Sequence, residues 1–380
     1  MNKAETKTKA TYLDALRKVI EEVVAPSAHE VDQKGVFPRA ALDSLGRAGL
    51  LGLISAPEVG GMGEGHRAAA EVVERLATAC ASTAMVVCMH YAGTAVIEAH
   101  GDRTVREAIA RGEHITTLAF SESGSRSHFW APVSTARKTE DGVVLDARKS
   151  WATSAGEADS YVWSSRPLSA EGPSTIWLVP ASAALRIPTP FDGLGLRGNS
   201  SSPITADGVV IPDSAILGVD GGGFDVMMSI VLPYFQLMNA AASIGTMEAA
   251  TTNTANHVAN TKFEPEGETI AGLPTIRAYV ARMRIKTDSS RALLLDALNA
   301  LEQGRDDAML KILEVKAAAG DAAAEVTDTA MRVCGGAAFR KEVGVERNFR
   351  DARAALVMAP TSDMLYDFIG RAVCGMPLFG

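Results

Sequence analysis

The chain of 380 residues holds only four cysteines, Cys80, Cys88, Cys334 and Cys374. They lie far apart or in apolar company, with neither metal-ligand spacing nor the density of a disulfide scaffold, so a reduced, cytoplasmic setting is expected and a metal site is not. No uninterrupted apolar run reaches membrane-spanning length, and the opening MNKAETKTKATYLDALRK is charged where a secretory signal would be apolar. The expectation is a protein of the cytosol with no membrane partner. Basic residues are scattered and the net charge is −8, which leaves no footprint for nucleic acid. Internal repeats and low-complexity linkers are missing as well. What is present is 47% hydrophobic residues, ample for a large core, and a length that suits more than one domain.

Apolar residues recur at three- and four-residue spacing from about residue 10 to 114, as in YLDALRKVIEEVVAPSAHEVD and HRAAAEVVERLATACASTAMVVCMHYAGTAVIEAH. From 115 to 218 the texture changes to short β-rich runs, ITTLAF, GVVLDA, SYVWSS, STIWLVP and GVVIP, separated by Gly, Ser, Asp and Pro. From 219 to 380 the helical period returns in long Ala-rich segments suited to close helix packing. The predicted order is a helical domain over 1–114, an antiparallel β domain over 115–218 and a helical bundle over 219–380.

Several strings sit in one register. SESGSRSHF carries Glu122, Gly124, Ser127 and His128, KSWATS carries Lys149, Trp151 and Thr153, and GLGLRGNSSSPITADGVVIPDSAILG closes the β region with Arg197, Ser200, Val210 and Pro212. The string RVCGGAAFRKEVGVERNFRDAR pairs Gly335 and Gly336, which free backbone for close approach to a ligand, with a charged run of fixed spacing. Together these resemble the acyl-CoA dehydrogenase family over nearly the whole chain. The resemblance implies an α+β fold with an N-terminal helical domain, a middle antiparallel β domain and a C-terminal four-helix bundle. It also implies FAD as cofactor, an acyl thioester as small-molecule substrate, an electron-accepting flavoprotein as partner, and assembly as a homodimer or homotetramer.

Carried over residue by residue, the resemblance places Phe120, Ser121, Ser127, Trp151, Thr153, Arg277, Gly335, Gly336 and Thr361 at the cofactor. An indole can wall a flavin, and a hydroxyl can bond its hydride-accepting edge. Arg126 stands where the family has a small residue and would suit an anionic acyl group, while His128 replaces an aspartate. The family's R-x-x-F-G has no arginine in NTKFEPEG; Arg277 and Arg332, near glutamine positions, could pair with the diphosphate instead.

The same comparison exposes a gap. The family draws its base, a glutamate, from Y-E-G-T-S before the last helix, and this chain reads MAPTS, with Ala359 and Pro360 in the glutamate and glycine positions. An alternative route, a glutamate near an L-E-R string, is closed by Phe235 and Gln236 in PYFQ. Asp363 and His128 are the remaining candidates, Asp363 also reading as part of a helix start and His128 as a hydrogen-bonded scaffold residue. Three functions stay open: acyl-thioester oxidation with a displaced base or none, flavin-dependent monooxygenation or non-redox elimination on the same fold, and a non-catalytic partner subunit.

Overall fold

The computed structural model describes residues 12–378 except 126, 127, 189 and 264–266. Helical residues 12–24 run into α1 (Ala25–Lys34), and α2 (Arg39–Arg47), α3 (His66–Ala79), α4 (Ala81–His100) and α5 (Arg103–Ala110) follow. Six strands follow, β1 (Thr116–Ala119), β2 (Thr135–Thr139), β3 (Gly142–Ala152), β4 (Ser160–Ser165), β5 (Thr175–Pro180) and β6 (Ser202–Ile211). The chain ends in α6 (Leu232–Asn260), α7 (Pro274–Glu302), α8 (Ala308–Cys334), α9 (Val345–Ala352) and α10 (Ser362–Val373).

These elements fall into two compact units. The first comprises residues up to Val72, Met85–Gly193 and Arg197–Phe235; the second comprises Val73–Ala84, Leu194–Leu196 and Gln236 onward. In the first, the strands form two three-stranded sheets ordered β1-β4-β5 and β2-β3-β6. Three of the four pairings are antiparallel and β1–β4 is parallel. β4 is buried along its whole length, with Tyr161, Val162 and Trp163 at its centre. The helical and β parts of this unit are joined by polar contacts: His90 Nδ1 accepts from the Thr116 N–H, and Arg197 Nε donates to the Asp32 carbonyl.

In the second unit α8 packs against α7, α9 and α10. Ala-rich faces allow this, and the ends are set by local chemistry: Pro274 at the start of α7, Gly335 closing α8, and Thr361 capping α10 through its Oγ1. The run ERNFRDAR is internal scaffolding here. Asp351 Oδ1 accepts the Leu196 N–H at 2.6 Å, Arg350 donates to the Leu194 carbonyl, and Arg347 donates to the Ala79 carbonyl. Gly195 is obligatory at this junction, since a Cβ there would stand 2.4 Å from the Arg350 carbonyl oxygen. The helical stretch Gly223–Asn260 is long and apolar enough by composition to cross a membrane, a feature the sequence reading did not anticipate, and most of it is buried in the protein as a core helix would be.

Candidate functional site

The first unit presents one strained surface. β3 and β6 lose register between Lys149 and Ala152, and the bulge leaves Trp151 at φ 56° with 69% of its surface exposed. A left-handed backbone is uncommon for a bulky residue, and a tryptophan held there and turned to solvent points to function rather than packing. Ser154, also left-handed at φ 59°, follows in a turn tied down by its N–H to the Asn199 carbonyl. Thr153 between them is buried, its hydroxyl 3.2 Å from that of Ser201.

The strand that carries Trp151 is anchored from beneath. Lys149 Nζ donates to Glu122 Oε1 at 2.5 Å, to the Ser164 carbonyl at 2.6 Å and to Ser164 Oγ at 3.0 Å, and lies 5.0 Å from the Trp163 ring centroid. Glu122 also accepts from the N–H groups of Val133 and Ser134 and from the Ser134 hydroxyl. Burial raises the Glu122 carboxyl, but the Lys149 charge and the hydrogen bonds outweigh it and hold the carboxyl below its ordinary value. For Lys149 burial prevails over the Glu122 charge, and its amine falls to about 8. The Ser150 N–H donates to the Ser121 carbonyl at 2.9 Å, so the chain at Phe120–Ser121 is held alongside Trp151. His128 is exposed in the loop that follows, its ring 5.0 Å from that of Trp130. Arg126 and Ser127 lie outside the described residues.

The second unit carries the remaining predicted residues in two places. At one end Gly335 adopts φ 56° and ψ −136°, a conformation for glycine, and a Cβ on Gly335 or Gly336 would meet nothing within 4 Å. Arg332 lies over the Tyr279 ring at 5.9 Å, which brings the start of α7, and with it Arg277, to this end. Arg277 donates to the carbonyls of Ala271 and Gly272. At the other place are Ala359, half-buried, Thr361 in its capping role, and Asp363, exposed in the first turn of α10. From Lys316, which touches Pro360, to Cys334 along α8 is roughly 27 Å at about 1.5 Å per residue. The glycine pair and the terminal loop are thus separate stations.

Sequence reasoning missed Lys316. Its side chain is buried in α8, and Nζ donates to the carbonyls of Met358 and Pro360 at 3.0 and 2.7 Å, bracketing Ala359. Burial lowers its amine to about 7. A signal existed, because Lys316 falls on the stripe of Ile312, Leu313, Ala319 and Ala323, all buried.

In the first unit an exposed indole on a rigid, bulged strand with a buried hydroxyl beside it fits a flavin ring, and in the second an open glycine pair at a helix end leaves backbone free for a ligand. Comparison with known proteins agrees. Three sequence models match in succession: acyl-CoA dehydrogenase N-terminal domain over residues 6–112, middle domain over 117–209 and C-terminal domain over 221–374. The chain is 29% identical over 377 residues to cyclohex-1-ene-1-carbonyl-CoA dehydrogenase of Geobacter metallireducens, covering 97% of this chain and 98% of that one. Its fold matches butyryl-CoA dehydrogenase of Megasphaera elsdenii with a TM-score of 0.89 at 21% identity, covering 98% and 99% of the two chains. It matches the FAD complex of PigA with a TM-score of 0.88 at 18% identity, covering 98% of each. The chain belongs to the acyl-CoA dehydrogenase family of FAD-dependent acyl-CoA oxidoreductases.

Proposed function

We propose that this chain is a flavoenzyme acting on an acyl thioester without a carboxylate at the family's usual base position. The observation that carries this reading is the terminal loop itself: Ala359 is bracketed by two carbonyls held by Lys316, and an alanine methyl accepts no proton. When bound, the flavin would supply the hydride acceptor. Trp151 would wall its ring, Thr153 would hydrogen-bond its edge, and Phe120, Ser121 and Ser127 would line the same approach. Arg277, Gly335, Gly336 and Thr361 complete the proposed cofactor set. The distance of the glycine pair from the terminal loop supports a second copy of the chain completing each dinucleotide site, in a homodimer or homotetramer.

His128 and Asp363 are the groups proposed to take or give the proton, and Arg126 the contact for an anionic acyl group. Both candidate acids are exposed, as a group that exchanges protons with solvent should be. The absence of a carboxylate at residue 359 also supports a second reading, in which reduced flavin meets oxygen or the substrate undergoes elimination. An electron-accepting flavoprotein as partner, in the cytoplasm, completes the first reading.

The test is the absorption spectrum of the purified protein, followed by anaerobic mixing with a panel of acyl-CoA thioesters. Bleaching of the flavin supports oxidation of the acyl group, and oxygen uptake by the reduced protein with an oxygenated product supports the second reading. Colourless protein that gains no flavin absorbance with excess FAD would remove both.

A further inference from the structure

Near the segment around Ala359, α6 and the start of α10 carry buried polar atoms with nothing to bond. Gln236 is fully buried in the second turn of α6, and among the described residues neither its Oε1 nor its Nε2 has a hydrogen-bond partner. Asn239, one turn along the same face, is 1% exposed; its Nδ2 donates to Met358 Sδ at 3.5 Å, and its Oδ1 is unpartnered. The Ser362 hydroxyl, on the far side of Ala359 in sequence, is likewise buried and unpartnered. Leaving such groups unbonded in an apolar interior is costly, so four unmatched atoms need a reason.

Their chemistry restricts what could satisfy them. The spare atoms of Gln236 are one acceptor and one amide donor, and the spare atom of Asn239 is an acceptor. Two carbonyl acceptors disfavour a carboxylate and gain nothing from a ketone, which cannot donate. The nearby cation, Lys316, already donates to Met358 and Pro360. A hydroxyl group supplies both a donor and an acceptor, giving its hydrogen to one of the two amide carbonyls and receiving one from the Gln236 Nε2.

Resting on the acyl-thioester reading above, we infer that Gln236 and Asn239 form a recognition site for a hydroxyl group carried on the acyl moiety, so that the chain selects hydroxyacyl thioesters over plain aliphatic ones. Phe235 and Gln236 occupy the place where the sequence loses the second route to a base. The position would then read substrate instead of moving a proton.

Calorimetric titration of the purified holoprotein with butyryl-CoA, 3-hydroxybutyryl-CoA and 4-hydroxybutyryl-CoA tests this without requiring turnover. One hydroxylated thioester is expected to bind at least about tenfold tighter than butyryl-CoA, as sites built to bond a hydroxyl discriminate against its loss. In Gln236→Leu the preference should fall to within about twofold. Equal affinity of the wild-type protein for all three overturns the inference and leaves the acyl-thioester reading standing, and so does a preference that survives in Gln236→Leu. The wild-type comparison decides even if the variant does not fold. Failure of all three to bind overturns both.

Discussion

Lys149 Nζ and Glu122 Oε1 meet at 2.5 Å with both side chains wholly shielded from solvent, directly beneath the bulge that exposes Trp151. A buried pair of this kind contributes little net stability but makes each partner indispensable to the other. Lys149→Met leaves a buried carboxylate, and Glu122→Gln leaves a buried ammonium. Each should cost about 3–5 kcal/mol in urea unfolding. The double variant should recover a large part of that loss, with a coupling energy well above 1 kcal/mol. Simple additivity of the two single losses would show that the pair does not act as a unit.

Trp151 separates stability from binding. Its left-handed backbone costs energy that glycine would not pay, so Trp151→Gly should leave the fold unchanged or up to about 1 kcal/mol more stable. The same change removes the proposed wall of the flavin site, and FAD affinity measured by fluorescence should drop by tenfold or more. A variant that binds FAD like the wild type would move the cofactor away from this strand.

The order of helices, strands and helices was legible because each class has its own hydrophobic period and Gly and Pro punctuate the joins. Strand β2, TARKT, was not, because it is an exposed edge whose residues are mostly polar and show no alternation. The parallel pairing of β1 with β4 depends on contacts far apart in sequence, as Thr116 opposite Ser160, which no local pattern encodes. Trp151 and Thr153 could be named from their string, yet the bulge that turns one outward and the other inward could not. Lys316 and the burial of Gln236 were not legible, because each is a polar side chain in a helix. Both lie on buried stripes, so checking each polar side chain against the apolar register of its helix would have found them.

His90 sets an acid limit on the first unit. Its Nδ1 accepts from the Thr116 N–H and its Nε2 donates to the Leu51 carbonyl, an arrangement that holds only for the neutral ring. Burial lowers its pKa to about 4, against about 6.5 when unfolded. The unfolded chain therefore binds a proton that the folded chain refuses, and stability falls as pH drops from about 6.5 to about 4, by roughly 3 kcal/mol for this group. Gln at this position keeps a donor and an acceptor but cannot ionise. Urea unfolding of His90→Gln at pH 7 and pH 4.5 should show a loss smaller than that of the wild type by about 2 kcal/mol or more, and identical losses would assign the acid sensitivity elsewhere.

Ala359 is the remaining test. If the terminal loop supplies no base, unsubstituted acyl-CoAs should reduce the wild-type flavin slowly, since a positioned base typically contributes about 10²–10⁴-fold. Ala359→Glu, with Pro360→Gly to restore backbone freedom, should raise that rate by a factor of ten or more. Lys316 gives the variant a pH signature. Its amine, lowered to about 7 by burial, is charged below that pH and would favour the ionised form of a carboxylate placed at residue 359, holding it ready as a base. Above pH 7 the lysine in the folded chain loses its proton while the unfolded chain keeps one up to about 10.5, so for this group stability rises with pH across that window. The stability difference between wild type and Lys316→Met should therefore shift in favour of the wild type between pH 7 and pH 9, read by thermal unfolding at each pH. Brisk wild-type desaturation of straight-chain substrates that is lost in His128→Ala or Asp363→Asn would instead show that the base has moved to that residue, and persistence in both would show that neither is the base.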